Sequence, residues 1–241
     1  MGIGTAGQLT SAIAQDGYAF VHAVEMRKLL TATGALSDWS AFAASWNELE
    51  LDRYMADGGR YRRRRHAVYA ASAGGTIVRG PHQPHYQSRD YNALNGGIAR
   101  WFAPIDAAIG RGATMSTILA CSRAVFESLS GPRDWHVEAH QFRIAARPGE
   151  DGRPTPEGVH RDGVDYVLVM LIERHNIASG TTTVHQVHGR ELGAFTLTVP
   201  LDAALLDDAR VAHGVTPITP VDPAEPSYRD VLVVTWKRAQ P

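Results

Sequence analysis

The stretch Glu157–Leu171, EGVHRDGVDYVLVML, decides how this chain is read. His160 and Asp162 stand two residues apart, and an almost wholly apolar run follows them. Side chains at i and i+2 on an extended strand point to one face. An imidazole and a carboxylate placed in this way form either a hydrogen-bonded pair or two-thirds of a metal site. The context on either side has to choose between them.

Downstream and just upstream of this stretch the hydrophobic period is that of short strands. Val137–Ala145, Asp165–Ile172, Thr181–Val187, Gly193–Thr198, Ala209–Ala212 and Asp230–Trp236 are β-rich runs broken by Gly, Pro, Asp and Asn. Further towards the N-terminus the period lengthens. Gln8–Gln15, Ala23–Thr31 and Ser37–Leu51 read as helices, the last with Trp39, Phe42, Trp46 and Leu49 on one face. A second helical block covers Ile98–Leu129, with Met115, Ile118, Leu119, Val125 and Phe126 on its buried stripe. Tyr18–Val21 and Tyr61–Ala71 read as strands, and Gly74–Gln87 as a loop. Helices first and many short strands afterwards point to a β-barrel or two-sheet sandwich buttressed by helices. The strand–helix alternation of a dinucleotide fold is missing. With no repeat and no linker, the expectation is one domain over 1–241. It comprises a helical N-terminal part to about residue 60 and a core over 61–241, with a helical insert near 98–130.

Composition narrows the function. The 241 residues are 44% hydrophobic and 20% charged, with a formal charge of −1, so no global field draws the chain to nucleic acid or to a membrane. A single cysteine, Cys121, rules out an internal disulfide and suits a reducing compartment. The N-terminal segment lacks a basic region followed by an apolar core, and no apolar run is long enough to span a bilayer. A cytoplasmic location is expected. The oligomeric state is left open, a homodimer included.

A facial iron site needs a third ligand from another strand. His213, in DDARVAHGVTPI, follows an apolar pair and precedes Gly214, which lets backbone pass close by. Beyond it, SYRDVLVVTW places Arg229, Val231, Val233 and Thr235 on one strand face, so the guanidinium would enter the interior that holds the metal. Arginine grips a carboxylate through two parallel hydrogen bonds. The order His-x-Asp, His, Arg is that of Fe(II)/2-oxoglutarate dioxygenases. In that chemistry two imidazoles and a carboxylate occupy one face of the iron; 2-oxoglutarate and O2 take the other positions. The bland readings are a second-shell pair for His160 and Asp162, a turn histidine for His213 and a surface cation for Arg229. A non-catalytic metal-binding barrel would follow from them.

More of the chain carries a likeness. RRRRHAVY, HYQSRDYNALNGGIARWF, HQFRI, VHRDG, HGVTPI and YRDVLVVTW occur in one order between Tyr61 and Trp236. In these words the chain resembles the bacterial 2-oxoglutarate dioxygenases that hydroxylate free L-amino acids, the L-isoleucine 4-dioxygenase family. The resemblance implies a double-stranded β-helix of jelly-roll type. It implies that His160, Asp162 and His213 hold the catalytic iron and that Arg229 anchors 2-oxoglutarate. Where many relatives have Ser two residues after this arginine, the chain has Val231, and Thr235 is the expected stand-in. Asp162 occupies the position that halogenating relatives replace by a small residue, so hydroxylation is expected, with desaturation or cyclisation equally compatible.

An amino acid substrate needs an arginine for its carboxylate and acceptors for its ammonium. Among Arg62–Arg65, Arg62 and Arg64 share one strand face, and the resemblance favours them as pocket residues. A solvated basic edge and a nucleic-acid patch are the competing readings. Gln141 and Asp165 complete the expected substrate set, with Tyr166 beside Asp165 at the entrance. A peptide, a carrier-bound residue or another small metabolite is the alternative substrate. His175, His185 and His188 receive no role.

Overall fold

The computed structural model describes residues 3–92 and 94–239. Its helices are α1 (Ala6–Asp16), α2 (Ala23–Thr33), α3 (Trp39–Ala44), α4 (Ala107–Gly110) and α5 (Ala113–Ser130). Its strands are β1 (Tyr18–Val21), β2 (Glu50–Leu51), β3 (Arg62–Ala71), β4 (Ile77–Arg79), β5 (Trp135–Ala146), β6 (Tyr166–His175) and β7 (Ile177–Ser179). They continue with β8 (Thr181–Gln186), β9 (Glu191–Thr196), β10 (Ala203–Asp207), β11 (Val211–Val215), β12 (Ile218–Pro220) and β13 (Ser227–Arg238).

A large antiparallel sheet runs in the order β1-β10-β6-β13-β5-β3-β2, with β4 beside β3. Two smaller sheets, β11-β8-β9 and β12-β7, make up the other side of the jelly roll. The two-residue period of the central strands sorts their side chains cleanly. On β13, Leu232, Val234 and Trp236 point to the helices α1, α2 and α5 and join one continuous core with Leu9, Ile13, Met26, Ile118 and Phe126. Arg229, Val231, Val233 and Thr235 point the other way, into a cavity between the sheets. The same alternation on β5 sends Val137 and Ala139 to the helices and Glu138, His140 and Phe142 to the cavity.

The structure departs from the sequence reading in four places. The helix expected over Ser37–Leu51 breaks after Ala44 into a 3-10 turn at Ser45–Glu48 and then the edge strand β2. Its four aromatic and aliphatic residues are still one apolar face, because both helix types keep i, i+3 neighbours together. The block expected over Ile98–Leu129 is helical only from Ala107, since Pro104 and the parallel bridge of Pro104 to His66 hold the preceding segment extended. Of the strand expected over Ala209–Ala212, Ala209 and Arg210 lie in the turn after β10, and only Val211 and Ala212 begin β11. Gly74–Gln87, expected as a loop, contains the short strand β4, which pairs with the end of β3. No described helix is long and apolar enough to cross a membrane.

The ring of Phe126, fully buried on α5, stacks on Tyr166 at 4.7 Å and meets Trp236 edge-on at 6.2 Å. Replacing it with alanine removes the aromatic plug between the helical layer and the sheet. Phe126→Ala should lower stability by about 3–5 kcal/mol in urea unfolding; a loss under about 1 kcal/mol would show that this contact does not hold the two layers together.

Candidate metal centre

His160 and Asp162 lie in an extended segment before β6 rather than on a regular strand. Backbone pairing still brings them to His213. The His160 N–H donates to the His213 carbonyl and the His213 N–H to the His160 carbonyl, both at 2.9 Å. This lone two-residue bridge sets the imidazole rings 4.8 Å apart, centroid to centroid. Gly214 makes the approach possible: a Cβ there would sit 3.1–3.3 Å from Val159. Asp162 is placed by a second device. The buried Asp208 carboxylate accepts the backbone N–H groups of Asp162, Gly163 and Val164 at 2.9, 2.8 and 3.1 Å. Gly163 turns the chain with φ of 79°, where a side chain would strike the Tyr91 ring.

The Asp162 carboxylate then stands 3.6 Å from His160 Nε2 and 4.0 Å from His213 Nε2, and one donor atom of each residue lies within 4.8 Å of the others. The Gly158 carbonyl accepts from His160 Nδ1 at 3.1 Å, which turns Nε2 towards the carboxylate. Two nitrogens and one oxygen from separate segments, with the outer nitrogen of one already committed to a carbonyl, fit an iron ion.

The close packing of these groups shifts their titration. Burial opposes a proton on His160, but the hydrogen bond and charge of Asp162, helped by Glu157, outweigh it and hold the imidazole up at about 9. Burial, then the His160 charge, pushes His213 down to about 4. Burial would raise Asp162, yet the hydrogen bond and charge of His160 keep it well below the usual carboxylate range. Asp208 behaves oppositely: burial and the neighbouring Asp162 charge lift it to about 6.

Below the triad on β13, Arg229 is 2% exposed, and its Nε and Nη2 have no hydrogen-bond partner. Burial and the nearby Arg174 lower it to about 10. An unpaired guanidinium in such a place is unfavourable unless an anion joins it. Thr235 shares its wall. On the same sheet, across Ile144 of β5 from Arg229, Arg62 is held by Asp52 through Nε and Nη2, each at 2.8 Å. Arg64 is sandwiched between the Phe102 and Phe142 rings, with its Nε unpaired. Arg100 adds a third buried guanidinium with an unpaired Nε. The enclosed volume is about 260 Å³.

Two expected substrate residues lie elsewhere. Gln141 falls on the opposite face of β5 from His140, and its amide donates to Ser45 Oγ at 2.7 Å on the helical side. Strand alternation excludes it from the cavity. Asp165 faces outward and accepts the Arg238 N–H at 2.7 Å, tying down the end of β13. Tyr166 is in the core against Phe126. The sequence reading in turn passed over Arg100, His66, His85, Glu138 and His140, all but His66 on the cavity wall. Arg100 and His85 stood inside a quoted motif, but nothing in a linear sequence of 11 histidines says which ones meet.

Two imidazoles and a carboxylate around one point, inside a double-stranded β-helix, are the hallmark of the non-haem iron oxygenases. The family model described as 2OG-Fe dioxygenase matches residues 43–235, and the chain belongs to that family. It is an enzyme that uses Fe(II), 2-oxoglutarate and O2. Among curated relatives it is 23% identical over 234 residues, 94% of each chain, to a 3(1)-hydroxy-L-isoleucine 4-dioxygenase of Pantoea ananatis. A solved bsmA homologue from Methylobium petroleophilum PM1 superposes with a TM-score of 0.90 at 35% identity, covering 99% of this chain and 95% of that one. IDO from Bacillus thuringiensis superposes at 0.79 with 17% identity, covering 98% and 100%.

In the metal-free protein His160 keeps its proton up to pH about 9 whereas His213 has lost its own above about 4. Iron bound at this centre would displace one proton from His160 between those limits. Affinity for Fe(II) should rise about tenfold per pH unit until it levels near pH 9. Anaerobic calorimetry at pH 7 in buffers of different ionisation heat should count close to one proton released per iron, and a count of zero would refute the charged His160.

Proposed function

We propose that this enzyme hydroxylates a free L-amino acid at an unactivated carbon. One atom of O2 enters a C–H bond of the substrate to give C–OH. The other enters 2-oxoglutarate, which leaves as succinate and CO2. Iron, held by His160, Asp162 and His213, would supply the activation of O2. The residues of the chain do the rest. Arg229 would pair with the far carboxylate of 2-oxoglutarate, with the Thr235 hydroxyl beside it. The aliphatic wall of Val169, Leu197, Leu206, Val231 and Val233 keeps water from the reacting carbon. Asp162, held deprotonated, remains a full anionic ligand across the working pH range.

The observation that carries the choice of substrate is the set of buried guanidinium groups that shares the cavity with Arg229, those of β3 on the same sheet across β5. Arg64 and Arg100 each keep a free donor, which suits one small carboxylate. Arg62 supports them through Asp52, the anion both Arg62 and Arg64 face, at 2.8 and 3.8 Å. The cavity is small for a ligand pocket and favours a free amino acid over a peptide or a carrier-bound residue. The activity for which the Pantoea relative is named, on a hydroxylated isoleucine, supports the same class.

Succinate formation by the iron-loaded enzyme should depend on 2-oxoglutarate and should be stimulated many-fold by at least one free aliphatic amino acid. A panel of amino acids that leaves turnover at its uncoupled background, while a peptide or carrier-bound substrate raises it, would overturn the assignment. Arg229→Ala should weaken 2-oxoglutarate binding by roughly thirtyfold or more, from a loss of about 2–5 kcal/mol for a buried charged pair. The weak visible charge-transfer band of the anaerobic iron complex is the readout, and an unchanged affinity would remove Arg229 from the co-substrate site.

A further inference from the structure

A second group of metal-type donors converges at the same cavity, outside the triad. His66 on β3, His85 in the extended segment after β4, and Glu138 and His140 on β5 place one donor atom each within 4.8 Å of one another. Glu138 Oε2 lies 3.1 Å from His66 Nε2, 2.5 Å from His85 Nδ1 and 3.3 Å from His140 Nε2, while Oε1 meets His136 Nε2 at 3.1 Å. A carboxylate oxygen offers two lone-pair sites. Three ring nitrogens on one oxygen exceed that capacity by one.

Tautomers sharpen the mismatch. Arg64 Nη2 lies 2.7 Å from His140 Nδ1, and a guanidinium only donates. His140 Nδ1 is therefore the acceptor, its proton sits on Nε2, and that proton goes to Glu138. His66 Nε2 and His85 Nδ1 are left sharing one remaining lone pair of Oε2. His66 is fully buried, and its Nδ1 has no partner either. Hydrogen bonding alone does not account for both nitrogens, whereas a cation between them and the carboxylate does.

We propose that a divalent transition-metal ion of the zinc class binds here through His66 Nε2, His85 Nδ1 and Glu138 Oε2, with His140 holding the carboxylate in place. Imidazole with carboxylate is the donor set such ions take, and three protein ligands leave a fourth position for water or a ligand group from the cavity. With bonds of about 2.0–2.1 Å, tetrahedral ligands stand roughly 3.3 Å apart. The His66 separation is close to that, and the His85 separation must widen by under about 1 Å. His85 is otherwise tied by a backbone bridge to Arg100. The ion would fasten the segment that walls the cavity onto β3 and β5. Arg64 and Arg100 oppose it by charge, and Asp52 partly offsets them.

The test uses the full, untagged chain carrying His160→Ala and Asp162→Ala, which empties the iron site. After exposure to Zn2+ alone and dialysis, elemental analysis should find close to one zinc per chain. Adding His85→Gln or Glu138→Gln should weaken zinc binding at least tenfold. His140→Gln, which removes only the group that holds the carboxylate in place, should weaken it less than either of those two variants does. Co2+ in the same protein should show the intense d–d bands of a low-coordinate site, lost in His85→Gln. No zinc retained by the triad-less chain, or retention indifferent to both His85→Gln and Glu138→Gln, overturns the proposal whatever the outcome of the substrate screen.

Discussion

Two reciprocal backbone hydrogen bonds between His160 and His213 bring together segments more than fifty residues apart, and the candidate metal centre depends on them. Neither histidine is held by a long ladder at that point. β11 is a five-residue strand, and the partner segment is a single bridge. The constraint works because both flanks are fixed: β11 by its pairing with β8, and the loop after Asp162 by three N–H groups on one buried carboxylate, Asp208. A lone bridge between two anchored segments gives a ligand set that is positioned but not rigidly strapped along its length.

The cavity is built against the usual rules of burial. Polar and charged side chains enter it from β3, β5 and β13, and the opposite faces of the same strands carry the apolar core under the helices. Arg64, Arg100 and Arg229 are all buried with unpaired nitrogens. Stacking of Arg64 between Phe102 and Phe142 recovers part of the hydration it loses. Such cations destabilise the free protein and favour anionic ligands at two places, one at Arg229 and one at Arg64 and Arg100. By contrast Arg143, on the outer face of β5, is fully matched to Asp230 at 2.6 and 2.8 Å and has a structural task.

Much of this was legible in the linear order. The His-x-Asp, His, Arg order was readable from residue types, and the inward face of Arg229, Val231, Val233 and Thr235 followed from a period of two along the twelve-residue β13. Arg62 and Arg64 were separable from Arg63 and Arg65 on the same ground, as members of one strand face. Gln141 and His140 were likewise assigned to opposite faces of β5, but periodicity does not say which face looks inward. For Gln141 the guess fell on the wrong side. Asp165 failed for a related reason, since residues next to a ligand in sequence turn away where an extended loop enters a strand.

Local chemistry along the chain, then, determined the element types, the residues that share each face and the donor types suited to iron and a diacid. Only the tertiary structure decided which face became the cavity and which histidines meet. His66, His85, Glu138 and His140 come from β3, β5 and the segment between β4 and α4, and their convergence is a property of the β3–β5 register and of the path of that segment. Pairing register is set by long-range packing of whole faces, which no short window of sequence contains.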